Sequence, residues 1–123
     1  MGDQLHSATQ IRAIVSAAHP TVRNALREFL SSVAGTAVVG EAAGDEETMR
    51  LVEHAHPDVA VLDWNDAFGG ASRDVREIKR RSPSTRVVVV ALDPAAEPAA
   101  MASGADVFLM KGCPLSQLAE AVR

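Results

Sequence analysis

Short runs that are apolar at every position recur along this chain, and each is followed by a segment with a helical repeat of apolar residues. The clearest of these runs are Val59–Leu62 and Val87–Val90. A strand without polar alternation is typical of a parallel sheet whose two faces are both covered by helices. The pattern therefore predicts an α/β fold built on a parallel sheet.

The alternation of strands and helices extends over nearly the whole chain. The predicted strands are Ile11–Val15, Ala37–Gly40, Val59–Leu62, Val87–Val90 and Val107–Met110. The predicted helices open at Pro20, at Asp45 as an N-cap, at about Ser72, at about Ala95 and at Pro114. Because crossovers between parallel strands are right-handed, we expect a flavodoxin-like, doubly wound five-stranded parallel sheet in the order 2-1-3-4-5 with five helices.

The length of 123 residues allows one domain. We assign residues 1–10 to an N-terminal tail and residues 11–123 to the domain. The last predicted helix has only about nine residues before the chain stops at Arg123, so we expect that the chain is cut from a longer protein.

Composition excludes several classes of function. The chain has 12 Lys and Arg against 16 Asp and Glu, whereas a domain that grips nucleic acid is usually basic, so we expect no direct nucleic-acid contact. Its single cysteine, Cys113, excludes an internal disulfide and a multi-cysteine metal cluster. The apolar runs are too short to span a membrane, and residues 1–4 lack signal-peptide features. We therefore expect a cytoplasmic protein without membrane contact.

Two charged residues follow apolar strands. Asp63 ends the third predicted strand, and Lys111 ends the fifth. Ligands of doubly wound sheets bind at the carboxyl ends of the strands, and a carboxylate there is costly without a partner. We therefore expect the two side chains to face each other. A structural salt bridge and a functional pair both remain open on this evidence.

Four stretches together resemble one family. They are His19–Arg23, Val38–Ala42, Pro57–Asp63 and Gly104–Lys111. Over residues 11–122 the chain resembles the receiver domain of bacterial two-component response regulators, of the NarL/FixJ subclass, which acts in phosphorelay signal transduction. The resemblance implies that Asp63 stands where the family accepts a phosphoryl group from a histidine kinase. It likewise places Lys111 where a lysine contacts that group.

Other positions depart from the family pattern. The two acidic residues that hold Mg²⁺ in the family are replaced by Ala17 and Ala18. The hydroxyl residue that ends the fourth strand is replaced by Ala91, and a Met-Pro pair is replaced by Asp66 and Ala67. We therefore expect a degenerate receiver that is not an enzyme, has no cofactor and acts by protein–protein interaction.

Two alternatives remain open. One is a phosphorylatable receiver, in which Mg²⁺ binds to Asp63 and the backbone carbonyl of Asn65, with Asp66 or Asp93 as substitute ligands. The other is a pseudo-receiver that senses a small molecule in a pocket around Ala17, Ala18 and Trp64, with Trp64 exposed at its mouth.

The resemblance also implies a switch and an interaction surface. Phe108 occupies the position of the family's switch aromatic, and with Ala91 beside it the ring could rest inward permanently or be an ordinary sheet aromatic.

The implied partners are a histidine kinase or another signalling protein. A homodimer or output contact would use the fourth helix, fifth strand and fifth helix, and the residues expected there are Met101, Val107, Leu109, Cys113 and Gln117. A helix-turn-helix domain is the expected missing part of a longer chain.

Overall fold

The computed structural model describes residues 10–65 and 70–123 and contains one parallel sheet. Its strands are β1 (Ile11–Ser16), β2 (Thr36–Ala42), β3 (Val59–Asp63), β4 (Arg86–Ala91) and β5 (Val107–Met110). Their order is β2-β1-β3-β4-β5, and every pairing is parallel. The fold class and strand order expected from the sequence are confirmed.

Each of the first four helices connects two consecutive strands, and the fifth follows β5. They are α1 (Pro20–Ser32), α2 (Asp45–Ala55), α3 (Gly70–Arg81), α4 (Glu97–Ser103) and α5 (Leu115–Val122), with a short 3₁₀ turn at Pro94–Ala96. The number of helices in the described ranges agrees with the expectation. Most of the predicted N-terminal tail lies outside these ranges.

Two hydrophobic clusters lie on opposite faces of the sheet. On one face α1 and α5 contribute Leu30 and Leu118, which pack with Val15 of β1. On the other face α2, α3 and α4 contribute buried residues such as Val52 and Ile78. Because both faces are covered, the central strands have no solvated side, which explains their uniformly apolar sequences.

The helix starts differ from the sequence predictions: α3 begins at Gly70 and not at about Ser72, α5 begins at Leu115 after Pro114 as its N-cap, and the starts of α2 and α4 differ through their caps. Gly44 rather than Asp45 is the N-cap of α2, and its carbonyl accepts from both the backbone N–H and the hydroxyl of Thr48. The helix expected from about Ala95 begins as a 3₁₀ turn, because the carboxylate of Asp93 accepts from the N–H of Ala95 at 2.9 Å. Both differences come from local capping that the apolar pattern does not report.

Candidate functional site

The carboxyl ends of the strands bring Asp63 and Lys111 together. Nζ of Lys111 lies 2.6 Å from Oδ1 of Asp63, as the sequence led us to expect. The Asp63 side chain is only 11% exposed and that of Lys111 24%. Among the described residues, that carboxylate oxygen has no partner in good hydrogen-bond geometry, so the contact is an ion pair. The ammonium group neutralises a carboxylate that would otherwise be costly to bury.

A pocket of about 350 Å³, named here the Asp63 pocket, opens beside this pair. Its lining is Ser16, Ala17, Ala18, Ala43, Gly44, Asp45, Leu62, Asp63, Asn65, Gly70, Ala71, Arg73 and Asp74. The wall that follows β1 is formed by small apolar side chains, whereas the wall at the starts of α2 and α3 carries charge. The pocket is therefore asymmetric, because its carboxylates other than that of Asp63 lie at the starts of α2 and α3.

The divalent cation that the resemblance implies needs several oxygen ligands. Ala17 and Ala18 supply no side-chain oxygen, and the guanidinium of Arg23 donates to the carbonyl of Ala17 at 2.9 Å. Within residues 10–65 and 70–123, no group of three or more His, Cys, Asp or Glu side chains is arranged to hold a metal ion. These residues do not fit the implied cation site.

The substitute cation ligands expected from the sequence, Asp66 and Asp93, do not complete a cation site among the described residues. Asp93 is exposed and caps the 3₁₀ turn through its hydrogen bond from Ala95. Asp66 and the adjacent Ala67 lie outside the described residues.

A buried hydroxyl pair positions the β1 edge of the pocket, and sequence reasoning missed it. Ser16 Oγ lies 2.8 Å from Thr48 Oγ1, which itself donates to the carbonyl of Gly44 at 2.8 Å. Since the Thr48 hydroxyl gives its proton to Gly44, Ser16 is the donor to Thr48. The chain of hydrogen bonds joins the end of β1 to the start of α2. The sequence did carry one indication of this pair, since Thr48 is a polar residue on the apolar face of α2.

A second missed feature is a carboxyl pair on the charged wall. Asp45 and Asp74 both line the Asp63 pocket. Burial raises the pKa of Asp74, and hydrogen bonding with Asp45 and the charge of Asp45 raise it further, to about 7, although Arg73 acts in the opposite direction. Asp74 therefore keeps its proton to a much higher pH than an ordinary aspartate. The two residues are distant in the chain, so no local pattern signals them.

The two aromatic residues near the site pack against the core on the side of α2, α3 and α4. Phe108 and Trp64 are both half-buried and contact the same apolar cluster. The expectation of an exposed Trp64 was wrong, because its ring finds apolar neighbours there. Its backbone N–H donates to the carbonyl of Val90 at 2.8 Å. The described residues that line the Asp63 pocket do not include Trp64. Ala91, at the end of β4, is almost fully buried.

The residues expected to form an interaction surface fall into separate places. Val107, Leu109 and Gln117 line one shallow depression of about 260 Å³. Cys113 is half-buried and lines a different groove, between α1 and α5. Met101 is 43% exposed on α4. The described structure thus presents these side chains near one edge of the sheet, without joining all of them in one cavity.

In the described part of the chain, no helix combines the length and the apolar character that crossing a membrane requires.

A comparison with protein-family models matches residues 14–123 to the response regulator receiver domain. Response regulator GacA of Pseudomonas aeruginosa is 30% identical over 116 residues, which cover 92% of this chain and 54% of GacA. The nitrate/nitrite response regulator NarL of Escherichia coli K12 is 30% identical over 95 residues, covering 76% of this chain and 44% of NarL. The chain therefore spans about half the length of these curated relatives or less.

Solved structures agree with this match. The signal receiver domain of the putative response regulator NarL from Mycobacterium tuberculosis superposes with a TM-score of 0.82 at 28% identity, covering 92% of this chain and 93% of that one. A LuxR-family two-component response regulator from Aurantimonas sp. SI85-9A1 superposes with a TM-score of 0.82 at 26% identity. The match covers 90% of this chain and 81% of that one. By its sequence and its fold, this chain belongs to the response-regulator receiver domains of two-component signalling.

Proposed function

We propose that this receiver domain signals through protein–protein contacts, and that Asp63 is phosphorylated poorly or not at all. The observation that carries the proposal is the β1 wall of the Asp63 pocket, where Ala17 and Ala18 present no carboxylate to a divalent cation. The domain then acts as a binding module, without a cofactor and without enzymatic activity.

The reason for expecting poor phosphorylation is the negative charge of the two reacting groups. A carboxylate that attacks a phosphoryl group brings two anions together, and metal ions or cationic side chains normally neutralise that charge. Lys111 is the cation paired with Asp63 here, and it already balances the carboxylate itself. Further negative charge at this position would have no metal to balance it. Ala91 also offers no hydroxyl to a phosphoryl oxygen.

The partners follow from the family. Receiver domains interact with histidine kinases and other signalling proteins, and a cytoplasmic kinase or regulator is the partner we propose for this domain. The exposed side chains on α4 and α5, together with β5, are the contact surface that we propose for a homodimer or an output domain. The M. tuberculosis relative is named a probable transcriptional regulatory protein. We extend that role to this chain as part of a longer regulator with a helix-turn-helix domain, with no direct DNA contact by the receiver itself.

A titration with Mg²⁺, with and without beryllofluoride as a phosphoryl mimic, tests the loss of phosphorylation. Trp64 adjoins Asp63 and is the single tryptophan of the chain, so its fluorescence reports on the site, and the melting temperature gives a second readout. We expect no saturable response at concentrations up to about tens of millimolar, well above the affinity of weak cation sites. A saturable response that is lost in Asp63→Asn would contradict the proposal.

One observation favours a second function. The Asp63–Lys111 pair is retained at 2.6 Å, which is also what a phosphoacceptor site would need. In that case, Mg²⁺ and a small phosphodonor together label Asp63, and mass spectrometry of the intact chain detects the added phosphoryl group. The absence of label in the parent, with label in a known receiver treated identically, favours the contact-only function.

A further inference from the structure

Positive charge is concentrated on α3. This helix of 12 residues has five basic and two acidic side chains, whereas the chain as a whole has a net charge of −4. Its apolar side chains Val75 and Ile78 are fully buried in the core on the side of α2, α3 and α4. The excess of positive charge therefore lies on the sides of the helix that face away from the sheet.

Two of the five cations are held by contacts within the domain. Nζ of Lys79 lies 2.9 Å from Oδ2 of Asp106, which precedes β5. Nε of Arg81 lies 3.0 Å from Oε1 of Glu77, and the same guanidinium pairs with Glu53 of α2. These two cations join α3 to neighbouring elements, so they are not free to bind a partner.

The other three cations, Arg73, Arg76 and Arg80, are named here the α3 stripe. Spacings of three and four residues place them on one face of the helix, over about 10 Å of its axis. All three are exposed, and the side chain of Arg80 is 68% exposed although it pairs with Glu77. In the described part of the chain, no hydrogen bond or ion pair engages the side chain of Arg76. The stripe therefore presents guanidinium groups to solvent.

The chemistry of the stripe fits carboxylates. A guanidinium group is planar and has donors in a fixed fork, which matches the two oxygens of a carboxylate better than an ammonium group does. All three members of the stripe are arginines, and they are about one helical turn apart. A short protein segment with Asp or Glu side chains at similar spacing can pair with all three at once.

Other anionic partners fit this face less well. Among the described residues, the exposed large apolar side chains are Val39, Leu92, Met101 and Leu115, and none of them belongs to α3. The helix thus has no apolar side chain to insert into a lipid surface, and it has no aromatic ring to stack on a base. The negative net charge of the chain also opposes binding to an extended polyanion.

We propose that the α3 stripe is a docking surface for a short acidic segment of a partner protein, whose carboxylates pair with Arg73, Arg76 and Arg80. Exposed ion pairs of this kind are local and are screened by salt. The surface is separate from the contact surface on α4, β5 and α5 proposed above. It also does not depend on whether Asp63 is phosphorylated, so the two proposals can fail independently.

Fluorescence anisotropy of a fluorescein-labelled oligoglutamate peptide of about eight residues, long enough to cover the stripe, tests the proposal. We expect saturable binding to the parent chain. Arg76→Gln with Arg80→Gln should weaken this binding about tenfold or more. The matched control is Arg27→Gln with Arg123→Gln, which removes the same charge from α1 and from the end of α5, on the other face of the sheet. It should weaken binding by less than about twofold.

Three outcomes would overturn the proposal. The first is no saturable binding of the peptide to the parent chain. The second is an equal loss in the two double variants, because the peptide would then respond only to net charge. The third is tighter binding of phosphatidylserine vesicles or of a DNA duplex than of the peptide, lost in Arg76→Gln with Arg80→Gln. The single variant Arg76→Gln gives a further readout that does not disturb the fold, since that exposed side chain has no partner in the described structure.

Discussion

The ion pair between Lys111 Nζ and Asp63 Oδ1, 2.6 Å long, joins two strands that are not neighbours in the sheet. Lys111 follows β5 and Asp63 ends β3, with β4 between them. The pair therefore spans the end of β4, where the buried Ala91 stands. A carboxylate and an ammonium group so placed hold the ends of β3 and β5 together across β4, whether or not the carboxylate ever accepts a phosphoryl group.

Lys111→Met should destabilise the domain, because it leaves the nearly buried Asp63 carboxylate without its cation. We expect a loss of about 2–3 kcal/mol in the free energy of unfolding, measured by urea denaturation. The double variant Asp63→Asn with Lys111→Met should recover part of this loss, since no unpaired charge remains. A single variant within about 0.5 kcal/mol of the parent would show that the pair contributes little.

Restoring the acidic residues should create a cation site. In Ala17→Asp with Ala18→Asp, two carboxylates face Asp63, and we expect Mg²⁺ to bind with an affinity of about millimolar order, seen as a saturable change in Trp64 fluorescence. The matched control is Ala17→Asn with Ala18→Asn, which has similar size but no charge and should give no such change. Equal responses in the two variants would mean that charge at these positions is not the missing element.

Stability should depend on pH through Asp74. Its pKa is raised from 3.8 to about 7 in the folded chain, so the folded state binds more protons than the unfolded state between these values. The free energy of unfolding should therefore fall as pH rises through this window. Because the group is only half-buried, solvent screening reduces the effect to about 1–2 kcal/mol. Urea denaturation at pH values below and above the window should show this fall in the parent and not in Asp74→Asn.

Asp106 should be a strong contributor to stability, although it is part-exposed. Its Oδ2 accepts from the backbone N–H of Val87 at 2.8 Å and from Nζ of Lys79 at 2.9 Å, which joins β4 and α3 to the start of β5. Burial raises the pKa of Asp106, but these hydrogen bonds outweigh it and the pKa is lowered. Asp106→Ala should cost about 1–3 kcal/mol, because it leaves a part-buried N–H without its acceptor.

The control for that substitution is Glu28→Ala, on the exposed side of α1. It removes a carboxylate of the same charge from a surface position and should change the melting temperature little. If Asp106→Ala and Glu28→Ala have the same melting temperature, the hydrogen bonds of Asp106 do not contribute to stability.

Much of the architecture could be read from local sequence patterns. The Val87–Val90 run predicted a strand buried on both faces, and the structure buries all four side chains. The parallel order then followed from the handedness of crossovers. The same logic brought Asp63 and Lys111 to one edge, because the carboxyl ends of parallel strands lie at the same side of the sheet. Helix starts were less predictable, as Gly44 shows, since capping depends on individual backbone geometry.

The alternation of elements and the chemical identity of the groups at the strand ends, including the alanines at 17, 18 and 91, are thus readable from the sequence. Which distant side chains meet depends on the packed fold. Ser16 is hydrogen-bonded to Thr48, Asp45 and Asp74 line the same pocket, and the Trp64 ring packs on the core. Apolar periodicity reports on which face of an element is buried, because burial acts on each residue separately. Contacts between polar groups depend on the relative placement of two elements, and that placement is set only when the helices have packed on the sheet.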